Sequence, residues 1–175
     1  CYSVALEKNA DAVVMLHPDG QYDPAFLGEI VRPIFRGEAD IVLGSRMQNR
    51  RQALKGGMPL YKFAANIFLT ACENFVLGRR LSEYHTGYRA YSRRFLETIP
   101  FMRNSNDFVF DTEILIQAVH YGMPIAEIPI STRYFAEASS VNFRVSLVYG
   151  IKTLGALFRY VLHRFRILRY RLIAP

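Results

Sequence analysis

The chain has 175 residues and 20.1 kDa, of which 51% are hydrophobic and 21% charged, a balance that fits one globular domain with a real core and excludes a disordered chain. Lys and Arg number 22 against 15 acids, a net charge of +7. All of the acids lie at or before Glu137 and are matched there by bases, so the excess is carried by Arg144, Lys152, Arg159, Arg164, Arg166, Arg169 and Arg171. A neutral body with no recognition motif argues against nucleic acid as a partner. Cys1 and Cys72 have no metal-ligand spacing, which argues against a disulfide scaffold or zinc site and makes a reducing compartment the default. Lys152, Arg159 and Arg164 interrupt the apolar tail, so the sequence predicts no membrane-spanning helix. The opening shows no signal-peptide succession.

The segment from Cys1 to Lys8 reads as the last turns of a helix without initiator Met or cap, from which the chain is expected to lack a natural N-terminal portion. Asp11 to Leu16 is a short β-branched run that stops at the turn chemistry of His17-Pro18-Asp19-Gly20. Pro24 to Phe35 has apolar residues at helical spacing, with Pro24 suited to a first turn. Asp40 to Gly44 is a second buried strand, and this alternation predicts an α/β fold whose functional loops lie at the carboxyl ends of parallel strands. Residues 47 to 58 read as a mobile basic loop, and Pro59 to Leu77 as a long helix. Glu83 to Ser92 reads as a strand, Phe110 to Tyr121 as a helix capped by Gly122, and Ile125 to Ile130 as a strand that Pro129 assigns to an edge. From Val141 one or two helices run almost to the end.

Four places carry candidate chemistry. His17, Asp19 and Gln21 set an imidazole, a carboxylate and an amide at alternate positions just past a strand, a donor set suited to Mg²⁺ or Mn²⁺ on a diphosphate. The competing reading is an Asx-type turn with Asp19 or Asp23 capping the next helix. Arg46, after the second strand, either clamps a phosphate or closes a salt bridge. Lys62 and Asn66 are one helical turn apart and share a face. Asp111 and Glu113 open a helix, where Asp111 is either a cap or one of two acids aimed at a substrate; Arg89 either adds to a positive field or pairs with Glu83 or Glu97.

In order and spacing, His17-x-Asp19-x-Gln21 with Pro24, Gly44-Ser45-Arg46, Lys62 with Asn66, and Thr86-Gly87-Tyr88-Arg89 resemble the family-2 glycosyltransferases of GT-A fold, in the dolichyl-phosphate mannosyltransferase-like branch. The resemblance covers roughly residues 1 to 135, and His17 stands where the family usually has its first acid. It implies a mixed, mainly parallel sheet flanked by helices over residues 1–137, the C-terminal part of a GT-A domain, followed by a basic amphipathic tail over 138–175. It also implies inverting transfer from a nucleotide-diphosphate sugar to a polyprenyl phosphate. Asp19 and Gln21, with His17, would anchor a divalent metal on the donor diphosphate, while Arg46, Lys62, Asn66 and Arg89 would hold the acceptor phosphate. For a glycan or small-molecule hydroxyl acceptor, Asp111 or Glu113 would serve as general base; an ionised lipid phosphate requires none. A non-catalytic membrane-binding module is the alternative from another class.

The tail mixes Leu147, Ile151, Leu154, Leu157, Phe158 and Val161 with seven bases, of which Lys152, Arg159 and Arg166 recur at intervals of seven. That composition predicts a helix in the interface of an anionic membrane, placing the protein peripherally on its cytoplasmic face. A core helix with a solvated basic side and a nucleic-acid-binding helix are the competing readings.

Overall fold

The computed structural model describes residues 1–134 and 143–173. Four strands form one sheet in the order β1-β3-β2-β4: β1 (Ala12–Met15), β2 (Ile41–Ser45), β3 (Arg89–Ser92) and β4 (Ile125–Pro129). β2 and β4 are parallel, while β3 lies antiparallel between β1 and β2. Three strands therefore run one way, but β1 and β2 are not neighbours as a simple parallel alternation predicts. Pro129, which cannot donate to a ladder, lies on the edge strand β4, as its chemistry requires.

Alternation along the strands feeds two cores. Val13, Ile41, Leu43 and Tyr91 point to one face, and Val14, Val42 and Ala90 to the other. The second face is covered by α2 (Leu27–Phe35) through Ile30, Val31 and Ile34. The first is covered by α4 (Leu60–Leu77), α5 (Arg93–Thr98), α6 (Phe110–His120) and α7 (Phe143–Arg164), which bury Leu77, Phe95, Ile114, Leu115 and Leu157. A short α1 (Tyr2–Glu7) stacks Tyr2 edge-on against Tyr91, with ring centres 5.4 Å apart.

Several expectations change. The segment read as a mobile loop contains α3 (Arg50–Lys55), whose first turn is capped by Asn49 Oδ1 accepting from Gln52 N at 3.2 Å. Only Arg89–Ser92 of the stretch from Glu83 is strand; residues 82–88 form a loop bonded to neighbouring elements by side chains. Helix α6 ends as expected, with Gly122 at φ +69, but its N-cap is Val109 and not Asp111. Arg166 lies beyond the end of α7 at φ +59, so it does not extend a helical stripe with Lys152 and Arg159. The span from Arg144 to Arg164 is, by length and composition, apolar enough to cross a membrane, contrary to the reading of interrupting charges. Its inner side nevertheless belongs to the domain, since Thr153, Ala156, Leu157 and Tyr160 are buried. The expected boundary at residues 137 and 138 and the expected helix start at Val141 lie outside the described residues.

Candidate active site

Because β1, β2 and β4 share a direction and β3 opposes them, one edge of the sheet gathers the loops after three strands and the loop before the fourth. This is where ligands bind in open α/β sheets. Apart from Arg89 in β3, Asp111 and Glu113 on α6 and the basic tail, the residues singled out in the sequence fall on those loops or on α4.

The first cluster follows β1. Residues 16–18 and 20–24 with Ser131 and Arg133 line an open cleft of about 660 Å³. Asp19 Oδ1 accepts from Gln21 N at 3.1 Å, and Asp23 Oδ1 accepts from Ala25 N at 2.9 Å, so both carboxylates make the turn and cap bonds of the simpler reading. Those bonds leave Asp19 Oδ2, the His17 ring nitrogens and the Gln21 carboxamide without partners among the described residues. His17 lies directly over Gly87, where any Cβ would collide with the imidazole. Tyr22, buried, accepts from Gly87 N at 2.9 Å, and a bridge from Tyr22 to Thr132 with Arg133 N donating to Gln21 O at 3.1 Å binds the segment after β4 to this loop.

The second cluster centres on Glu83, whose side chain is wholly buried. It accepts from Arg46 N at 2.7 Å, Arg46 Nε at 2.8 Å and Asn66 Nδ2 at 2.8 Å, and pairs with Arg46 Nη2. Arg46 also donates to Tyr134 Oη at 2.7 Å and His85 O at 2.8 Å. Of its five side-chain N–H groups, one, on Nη1, is left over. The salt-bridge reading of Arg46 therefore describes its main contacts. Burial alone would raise the Glu83 carboxyl, but the Arg46 guanidinium outweighs it and holds the carboxyl below the usual carboxylate range. Lys62 lies close enough to Arg46 to feel its charge: partial burial first, then Arg46, lower its pKa. Glu127 of β4 clasps the loop from behind, accepting from Ser82 N and Oγ at 2.8 Å each and from Glu83 N at 3.1 Å; burial raises its carboxyl. The structure thus brings Arg46, Lys62 and Asn66 together, with Asn66 turned toward Glu83.

Arg89 is not part of this cluster. Its side chain is fully enclosed, donating to Thr86 O at 2.6 Å and Tyr84 O at 2.7 Å, and its ion-pair partner is Asp111 at 3.4 Å, not Glu83 or Glu97. Glu97 pairs instead with Arg93 at 2.9 Å. Glu113 is turned into a loop contact, accepting from Ser105 N at 2.7 Å and Ser105 Oγ at 2.9 Å. Of the two acids on α6, Asp111 is the more open, with 29% of its side chain exposed. On the tail, Lys152 pairs with Asp107, so not every tail base is uncompensated.

Sequence reading missed Glu83 as the anchor of Arg46, and missed Arg133 and Tyr134. Alternation along Thr132-Arg133-Tyr134 after β4 was a usable signal, since it puts Arg133 toward the first cluster and Tyr134 toward the second. Nothing local marks Glu83 as the partner of a residue 37 positions away.

Among the described residues no three His, Cys, Asp or Glu side chains converge as a metal cage. The free donors of His17, Asp19 and Gln21 fit a cation whose remaining positions are filled by substrate phosphate, the usual arrangement for Mg²⁺ and related ions.

No family model matches the chain. It is 29% identical over 130 residues to a UDP-N-acetylglucosamine–dolichyl-phosphate N-acetylglucosaminyltransferase of Methanococcus voltae, covering 74% of this chain and 51% of that protein. It is 30% identical over 137 residues to a dolichyl-phosphate hexose transferase of Haloferax volcanii, covering 75% and 57%. The fold matches glucosyl-3-phosphoglycerate synthase of Mycobacterium tuberculosis with a TM-score of 0.60 at 20% identity, over 91% of this chain and 51% of that one. A further structure of that enzyme, at a TM-score of 0.53, holds Mn²⁺, UDP-glucose and glycerol 3-phosphate. The fold is that of the GT-A glycosyltransferases. Within that class, the similarity to these relatives supports a family-2 glycosyltransferase. It spans about half the length of the curated relatives it matches.

Proposed function

We propose that the protein transfers a sugar from a nucleotide-diphosphate donor to a polyprenyl phosphate at the cytoplasmic face of a membrane. The observation that carries this reading is the adjacency of two unlike clusters at one sheet edge, an open cleft with free oxygen and nitrogen donors beside a basic cluster on α4, joined through Arg133 and Tyr134. Dolichyl-phosphate transferases among the relatives support the acceptor class.

In this account His17, Asp19 and Gln21 hold a divalent metal, which when bound neutralises the charge that grows on the departing diphosphate. Arg133, lining the same cleft, adds a fixed cation toward those phosphates. Lys62 supplies the mobile charge for the acceptor phosphate, and Arg46 offers its remaining N–H. Glu83 and Asn66 fix where Arg46 points, so their part is positioning. An ionised phosphate oxygen attacks the anomeric carbon in line as the diphosphate leaves, with inversion and no general base. The involvement of Asp111 with Arg89 and of Glu113 with Ser105 favours this over a hydroxyl acceptor that either acid would have to deprotonate.

The test offers one donor with three acceptors: polyprenyl phosphate, the matching polyprenol, and a free glycan. Product on the phosphate alone supports the reading. Product on a hydroxyl, with loss of activity in Asp111→Asn or Glu113→Gln, replaces it with the alternative.

A further inference from the structure

Helix α4 presents to solvent a face without a charge. Leu60, Ala64, Ala65, Phe68, Ala71 and Phe75 are all exposed, Phe75 at 87%, whereas Glu73 is fully buried and Lys62 half-buried on the other side. Single exposed apolar residues are ordinary, but an uncharged outer face along 18 residues of helix is not. Helix α7 continues the surface with Leu147, Ile151, Leu154 and Phe158, all exposed and spaced four, three and four apart. The two helices lie side by side, since a Cβ at Gly150 would sit 3.7 Å from Leu69 Cδ1, and their outer faces adjoin. Exposed bases flank these helices along the chain: Arg51 and Lys55 precede α4, Arg80 follows it, and Arg144 and Arg159 lie on α7. Neither helix exposes an acid.

We propose that α4 joins α7 as a bilayer-docking face lying in the membrane plane, with Phe68 and Phe75 at the acyl boundary and the flanking bases on anionic head groups. The charge pattern selects this occupant. A second copy docked by the same face would set basic rims against each other, whereas an anionic bilayer answers both the apolar centre and the positive edge. Insertion of α7 across the bilayer would strip Ala156, Leu157 and Tyr160 from the core and Tyr149 Oη from His85 Nδ1, 2.7 Å away, so the helix lies flat. The inference rests on the proposed lipid-phosphate acceptor and deepens it. Lys62 and Asn66 lie on the same helix as Phe68, and docking α4 brings the acceptor cluster to head-group depth.

The chain has no Trp, so an indole placed in it is read as the difference in emission from the unsubstituted protein. Three variants of the complete protein, Phe75→Trp on α4, Phe158→Trp on α7 and Phe35→Trp on α2, are mixed with phosphatidylcholine vesicles with and without phosphatidylglycerol, including a set bearing brominated chains. Expected are a shift of emission to shorter wavelength and bromine quenching for the first two with anionic vesicles, and neither for Phe35→Trp, exposed on the opposite side of the sheet. A response of Phe158→Trp alone overturns the role of α4 and leaves tail docking standing. No response from either overturns docking altogether, while transfer to a detergent-dispersed polyprenyl phosphate still reports on the acceptor reading. Emission of Phe75→Trp already shifted without vesicles overturns the proposal in favour of a second copy if the shift grows with protein concentration, and of another segment of the protein if it does not.

Discussion

Glu83→Gln is the most informative single change at the cluster around Arg46. The wild-type carboxylate receives two N–H groups of the Arg46 side chain, the Arg46 backbone N–H and Asn66 Nδ2, with no exposed surface of its own. The amide keeps the shape but leaves the buried guanidinium without a counter-charge and turns an NH₂ toward donors. Breaking one side of a buried pair costs about 3–5 kcal/mol. For a protein of this size each kcal/mol moves Tm by about 2–4 °C, so the variant should melt roughly 6–20 °C lower by circular dichroism. Replacing both partners, Arg46→Met with Glu83→Leu, should recover much of that loss, because no unpaired charge remains. The sign with pH follows from the depressed carboxyl: the pair's contribution is complete above the ordinary Glu value of about 4.3 and is lost as pH falls through the lower folded value. A Glu83→Gln protein melting within about 2 °C of wild type would refute the ion-pair account.

Three further outcomes follow from the same geometry. His17→Asp should move metal preference from Mn²⁺ toward Mg²⁺, since it exchanges an imidazole for a harder oxygen ligand; an unchanged profile in a metal titration of activity removes His17 from the ligand set. Arg133→Ala should raise the donor KM by about tenfold to a hundredfold, the loss of a charge-assisted contact of about 1.5–3 kcal/mol, and leave the acceptor KM alone; the reverse split would put Arg133 on the acceptor. Lys62, its pKa lowered by burial and by Arg46, should lose its proton below the free-lysine value of about 10.4. The acceptor KM should therefore begin to rise at lower alkaline pH than an unperturbed lysine allows, and Lys62→Arg should remove that rise.

What the sequence made legible was periodic or local. The unbroken apolar run Ile41-Val42-Leu43 marked a strand buried on two faces, and the spacing of α4 put Lys62 and Asn66 on one side. The turn chemistry after β1 identified both the candidate ligands and their capping bonds. Hidden were the pairings set by the fold. The antiparallel insertion of β3 between β1 and β2 depends on topology that no local pattern encodes, and with it come the partners of Glu83 and Arg89. For the tail, composition leaves a membrane-interface helix, a core helix and a nucleic-acid-binding helix as alternatives, whereas α7 gives its Ala156 side to the core and its Phe158 side to solvent.

The most direct test of the account is transfer of labelled sugar from a panel of nucleotide-diphosphate sugars to polyprenyl phosphate by the complete protein, with Mn²⁺ or Mg²⁺, beside Asp19→Ala. The account predicts lipid-linked sugar from at least one donor, dependent on the metal and reduced on the order of 10²-fold or more by Asp19→Ala, whose charge acts where the diphosphate departs. Transfer that Asp19→Ala leaves unchanged, or no transfer from any donor by a folded protein, would contradict it.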